Sequence, residues 1–181
     1  MPRLFLALPV PLPVRKSLET VAQGIPETEP VQINNFHLTL KFLGPVPEIE
    51  IDTIIESLQP AKGKPFYLEP EGISTLPAHG NPSVIIMNLI RIHPGLFQLR
   101  KWINDQLLRR RYEPDTRSFL PHITLARCQK GVTRTGPTQN WVKHNAKKGA
   151  PTFQVDRFTL FQSQWSTAGP NYLQLHDFFL K

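Results

Sequence analysis

The apolar positions of this chain come in two rhythms. Arg3 to Leu8 is a short, nearly continuous apolar run stopped by Pro9, Pro11 and Pro13, which predicts a strand, and Val14 to Gln23 then reads as a first helix. From Phe36 to Leu43 apolar and polar side chains alternate, the period of a strand, and Gly44-Pro45 closes it. Glu48 to Leu58 returns to helical spacing: Ile51, Ile54, Ile55 and Leu58 share a face, acidic residues occupy the first turn, and Pro60 lies beyond the end.

Phe66 to Leu76 and Ser83 to Ile90 are β-rich runs separated by Pro77, Gly80-Asn81 and Pro82, which predicts an antiparallel pair. A third helix is expected from Pro94 to Arg110, on Leu96, Leu99, Ile103 and Leu107. Arg117 to Arg127 holds another strand. Gly131 to Ala150 is polar and reads as loop, with a short helix from Gln139 to His144. Phe153 to Ser163 and Tyr172 to Leu180 predict two closing strands joined by a turn at Ala168-Gly169-Pro170. A strict strand-helix repeat is missing, so the pattern predicts an α+β fold with antiparallel sheets rather than a doubly wound parallel one.

The length of 181 residues suffices for one domain, or for two small lobes sharing an interface. With 40% hydrophobic and 19% charged residues, there is no apolar run near the roughly 18 residues of a spanning helix and no basic-then-apolar leader, which reads as a soluble, unexported chain. Cys128 is the single cysteine, so an internal disulfide or a zinc site of several cysteines is excluded, and a reducing, cytoplasmic setting is expected. The net charge of +7 favours an anionic partner. Arg109-Arg110-Arg111, the densest cationic cluster, suits either a solvated helix end or contact with a nucleic-acid backbone.

Two tetrapeptides change the picture from fold to chemistry. His37-Leu38-Thr39-Leu40 and His122-Ile123-Thr124-Leu125 each read His, aliphatic, Thr, Leu, and strand geometry puts His and Thr on one side and the aliphatics on the other. A single copy is commonplace. Two copies on two predicted strands point to one shared site. Cleaving a phosphodiester needs a base for the attacking water and an acid for the departing sugar oxygen, and two imidazoles titrating near neutrality can supply both. The two Thr hydroxyls would hold the nonbridging oxygens and stabilise charge in the transition state. Such a scheme requires no metal and no cofactor.

The segments Phe36 to Gly44 and Phe119 to Arg127 resemble the paired signatures of the two-histidine (2H) phosphoesterase superfamily. Their flanks are similar to those of the RNA 2′,3′-cyclic phosphodiesterases, the LigT-like or 2′-5′ RNA ligase family. The likeness extends to the termini: Arg3 to Leu8 resembles the opening strand of that family, and Phe158 to Leu180, with Ser163, Gly169-Pro170 and Tyr172, its closing hairpin. The resemblance implies one bilobal α+β domain over residues 1–181, pseudo-symmetric, with a motif strand from each lobe facing a central cleft. It also implies hydrolysis of RNA terminal 2′,3′-cyclic phosphates to 2′-phosphates without metal, and, for some members, reversible 2′-5′ joining of tRNA halves in vitro.

By that resemblance His37 is the acid that protonates the 3′ oxygen and His122 the base, although the near-symmetry of the pair leaves the reverse assignment open. Arg127 would contact the substrate phosphate and Phe42, its counterpart after the first motif, could stack on a base. Strict alternation puts both on the face opposite the histidines, so a bulge or a strand end has to re-aim them. Lys41 shares the parity of His37 and Thr39 and could add positive charge to the cleft. Trp165 could line it, whereas Trp102 and Trp141 read as core. His79, His93, His144 and His176 read as surface or structural residues. The expected partner is RNA with a cyclic phosphate end or a related nucleotide, with no membrane, and a monomer is the default. A non-catalytic RNA-end binding module, or an esterase acting on a small cyclic nucleotide or a 2′-5′ oligonucleotide, would present the same residues.

Overall fold

The computed structural model describes residues 1–113, 118–167 and 169–181. Its elements run β1 (Arg3–Pro9), α1 (Leu12–Gln23), β2 (Thr28–Pro30), β3 (His37–Pro45), α2 (Ile51–Ser57), β4 (Phe66–Leu76), β5 (Val84–Ile90), α3 (Pro94–Leu108), β6 (Ile123–Cys128), α4 (Pro137–His144), β7 (Phe153–Val155), β8 (Arg157–Ser166) and β9 (Gly169–Phe179). They build two sheets, β3-β1-β8-β9 and β2-β6-β5-β4-β7, and every pairing between strands is antiparallel. This is the α+β class that the sequence predicts.

Each half repeats one order of strand, helix, motif strand, helix: β1, α1, β3, α2, and then β5, α3, β6, α4. In each sheet the motif strand lies beside the strand that opens its half. The helices cross over. α1 follows β1 of the first sheet yet packs against β6 of the second, and α3 follows β5 of the second yet packs against β3 of the first. Leu18 of α1, Leu99 and Ile103 of α3, and Leu38 and Leu125 of the motif strands therefore belong to one continuous apolar core. Burying a leucine of this kind contributes about 1.5–3 kcal/mol before cavity effects.

Local chemistry explains the helix starts. Pro11 caps α1 in extended backbone and a second proline follows inside its first turn, where a missing N–H costs nothing. His93 caps α3, its ring nitrogen accepting the Gly95 N–H at 3.0 Å, with Pro94 first in the helix.

The differences from the predicted elements have physical causes. The predicted strand Phe153 to Ser163 is two strands in two sheets: β7 pairs with β4, and after Asp156 the chain crosses so that β8 pairs with β1. Both pieces alternate or run apolar, and nothing in a period of two records a change of sheet. β2, three residues ending in Pro30, is too short to show a period at all. The predicted strand from Arg117 begins only at Ile123, residues 114–117 lying outside the described ones, as does Ala168 in the predicted turn. Trp102 and Trp141 pack partly buried against the core, as expected. Among the described residues no helix is long and apolar enough to cross a membrane.

Candidate active site

Both motifs open on the same local device. The Nδ1 of His37 bonds the backbone carbonyl of Asn35 at 2.6 Å, and the Nδ1 of His122 bonds that of Leu120 at 2.7 Å, each two residues upstream. A carbonyl oxygen only accepts, so each Nδ1 carries the hydrogen, and in the neutral ring each Nε2 is the nitrogen left able to accept one. The Nε2 of His37 accepts the Thr39 hydroxyl at 3.1 Å. Leu38 and Ile123, between His and Thr, are fully buried, while the four polar side chains stay half-buried on the other face.

The fourth motif residue then breaks the alternation, in both copies. Against β1, Thr39 pairs with Ala7 and Lys41 with Leu6, leaving Leu40 as an extra residue; against β5, Thr124 pairs with Ile86 and Ala126 with Ile85, leaving Leu125 as an extra residue. Each is a β-bulge, which reverses the parity of the residues that follow it, in β3 as far as a second extra residue at Leu43. The carbonyls displaced from the ladders find other donors: Arg100 Nε of α3 reaches that of Leu40 at 3.1 Å, and the Val31 N–H that of Leu125 at 2.8 Å. The guanidinium of Arg100 also lies 4.3 Å from the ring centroid of Phe119, three residues before His122.

After the bulges, Phe42 and Arg127 come round to the cleft side and Lys41 leaves it. Phe42 is 65% exposed, whereas Lys41 is only 2% exposed, its ammonium donating to the Glu113 carbonyl at 2.6 Å. The expectation of a cleft charge at Lys41 fails for this reason. Strict parity placed Lys41 in the cleft and Phe42 out of it, and one extra residue exchanges them.

One cleft of about 760 Å³ gathers His37, Thr39, Phe42, His122, Thr124 and Arg127, with Arg3, Phe5, Glu29, Asn35, Trp165 and Tyr172 along its walls. It lies on the concave side of the first sheet, which curls until the starts of its edge strands meet. Asn35 Nδ2 donates to the Pro170 carbonyl at 2.6 Å across that gap, and the His37 and Tyr172 rings stand edge to face at 5.1 Å. Beneath them the buried Phe5 ring touches His37, Phe42, Phe161 and Tyr172, with centroids 5.0 to 6.0 Å away.

Phe5, Asn35 and Tyr172 were not picked out as site residues by pattern. Phe5 reads as one apolar residue in an apolar strand, and Tyr172 reaches His37 only through the curl of the sheet. Asn35, buried and two residues before a motif histidine, is the one whose position carried a signal.

Electrostatics bear strongly on His37. Burial pushes the His37 imidazolium down to about 4, helped by the positive charge of His122 and Arg127 and opposed by the bond to the Asn35 carbonyl. At neutral pH the His37 ring is therefore neutral. Among the described residues no three His, Cys, Asp or Glu side chains are grouped as a metal site. His93 serves as a helix cap, and His144 and His176 bond to Asn140 and Gln59, all away from the cleft.

Asn35 carries a prediction. Asn35→Ala keeps the carbonyl that orients His37 but loses the tether to Pro170 and leaves that carbonyl unsatisfied, a cost of about 1–3 kcal/mol. Thermal unfolding should fall by roughly 2–4 °C per kcal/mol for a chain of this size. As a positioning residue it should lower kcat more than it changes KM, and the conservative Asn35→Asp should not restore the tether, because a carboxylate donates nothing to a carbonyl. Unchanged kcat in a destabilised Asn35→Ala would reduce its role to stability alone.

The profile of the 2′-5′ RNA ligase superfamily matches residues 16–165. Among curated proteins, the RNA 2′,3′-cyclic phosphodiesterase of Archaeoglobus fulgidus is 28% identical over 180 residues, covering 97% of this chain and 99% of its own. That of Escherichia coli is 29% identical over 180 residues, covering 96% and 93%. Among solved structures, a Thermus thermophilus protein superposes with a TM-score of 0.81 at 26% identity, covering 98% of this chain and 97% of its own. E. coli LigT in complex with 3′-AMP does so with 0.79 at 27%, covering 99% and 98%. With the family profile spanning both histidine motifs and the fold shared from end to end, this chain belongs to the 2′-5′ RNA ligase superfamily, the two-histidine phosphoesterases.

Proposed function

We propose that this protein opens the 2′,3′-cyclic phosphate at the end of an RNA to a 2′-phosphate, using His37 and His122 as an acid-base pair. The observation that carries the reading is the mirrored pair of motifs, each with Nδ1 fixed on a carbonyl two residues back and Nε2 free to exchange protons in one cleft. Relatives named RNA 2′,3′-cyclic phosphodiesterase and a LigT complex with 3′-AMP support the substrate class.

His122 takes the proton of a water molecule as its oxygen attacks phosphorus, and His37 gives a proton to the 3′ oxygen as the bond to phosphorus breaks. The hydroxyls of Thr39 and Thr124 donate to the nonbridging oxygens, and Arg127 neutralises the anion from the far rim. These groups supply both proton transfers and the charge stabilisation, so the chemistry asks for no metal. His37 is neutral in the free protein, and a bound phosphate, an anion beside its Nε2, favours the charged ring. Substrate and proton thus arrive together. Reversible 2′-5′ joining of RNA ends is the same chemistry run with a 5′ hydroxyl in place of water.

The test is turnover of a nucleoside 2′,3′-cyclic phosphate in the presence of a chelator, with the product identified by phosphorus NMR. A 2′-phosphate is expected, and a 3′-phosphate would reverse which oxygen leaves. The acid limb of kcat/KM should lie near pH 4, because His37 of the free protein takes up its proton there and the coupled pair, as a unit, then has no base left. The acid limb of kcat should lie higher, since the bound anion raises the affinity of His37 for its proton. An acid limb of kcat/KM above pH 6 would contradict the coupled pair. Binding of cyclic-ended RNA with no product over hours would leave only a binding module.

A further inference from the structure

The cleft is larger than the chemistry needs. Two histidines, two threonines and Arg127 enclose one phosphate, yet the same cleft, of about 760 Å³, continues along the first sheet to Arg3 and Trp165. Arg3 of β1 pairs with Ser163 of β8, and Trp165 lies two residues further along β8, on the same face as Ser163. Trp165 is 75% exposed, with its neighbour across the hairpin Pro170, whereas Trp102 and Trp141 are packed against the core. Arg3 is exposed, and among the described residues it makes no ion pair. Among the described residues Glu29 is the one carboxylate on the wall, and it pairs across β2 and β6 with Arg127, on the phosphate side.

An exposed indole and a guanidinium on one wall of a cleft have the chemistry that recognises a nucleotide: a flat apolar face for any base and a fork for a phosphodiester. We infer that Arg3 and Trp165 form a second nucleotide subsite, which holds the residue preceding the cyclic end of the RNA. Trp165 stacks on the base of that residue, and Arg3 pairs with a phosphodiester of the strand. This rests on the proposed function above and deepens it, because it makes the preferred substrate a chain rather than a mononucleotide. Stacking has no base code, so the preference is for length and not for sequence.

The test compares kcat/KM for a mononucleoside 2′,3′-cyclic phosphate and for a dinucleotide with the same cyclic end. The wild type should prefer the dinucleotide. In Trp165→Ala the ratio of the two should fall roughly 5- to 150-fold, the worth of one base stack, and Trp165→Phe should restore most of it. Arg3→Gln should lower the ratio too, and more at low salt than at high salt. A ratio unchanged in both Trp165→Ala and Arg3→Gln would overturn the subsite.

A second readout keeps the inference separate from the catalytic reading. Quenching of tryptophan fluorescence by a dinucleotide ending in a 2′-phosphate reports binding without turnover. If no cyclic phosphate is opened but that ligand binds and Trp165→Ala loses most of the quenching, the subsite stands and the proposed reaction falls. If sedimentation shows a dimer that Trp165→Ala dissociates while dinucleotide binding is unaffected, the indole serves a second copy of the chain and the subsite is refuted.

Discussion

His37→Ala and His122→Ala should each remove about 10²- to 10⁴-fold of turnover, the range that a positioned proton donor or acceptor contributes. The double variant should lose little more than the worse single one, because half a pair cannot complete the reaction. The two variants should differ in stability. The His37 ring packs against Phe5 and Tyr172, so its removal opens a gap in the aromatic floor and lowers the unfolding temperature. His122 has no ring partner among the described residues, and its removal should leave stability nearly unchanged. Initial rates on a dinucleotide ending in a 2′,3′-cyclic phosphate, measured beside thermal unfolding, check both halves. Full turnover in either single variant would refute the two-histidine mechanism.

Much of this site can be read from composition and spacing, and its limit falls at a definite point. Alternation over His37 to Leu40 and over His122 to Leu125 correctly separates the chemical face from the buried one, and 85 positions between copies are enough to show the duplication. The rule fails at the fourth residue of each copy. Leu40 and Leu125 look like ordinary inward aliphatics, and they are inward, but each is an insertion in its ladder. What forces a bulge there is tertiary: Arg100 of α3 and the Val31 N–H wait for the displaced carbonyls, and neither is near its bulge in the chain.

The same insertion in both halves shows the bulge to be part of the repeat rather than an accident of one strand. The copies differ at the first cleft-facing position after the bulge, Phe42 against Arg127, so a symmetric scaffold presents an aromatic ring on one rim and a cation on the other. Trp165 is legible as a cleft-lining candidate before the closing turn, whereas Tyr172 is legible only as a member of the closing hairpin, because its nearness to His37 depends on how far the first sheet curls.

Thr39→Val and Thr124→Val keep the shape of each side chain and delete only the hydroxyl. Each should cost about 10²- to 10³-fold in kcat, the worth of one donor to the transition-state oxygens, with a smaller change in KM because the ground-state phosphate needs that donor less. Their pH profiles should agree. Thr39 donates to the Nε2 of the neutral His37 ring, but its hydroxyl can turn and accept from the charged ring, so Thr39→Val leaves in place the burial that holds His37 deprotonated. The acid limb of kcat/KM should therefore stay near pH 4 in both variants. A limb displaced in Thr39→Val alone would mean that its hydroxyl favours one charge state of His37 over the other.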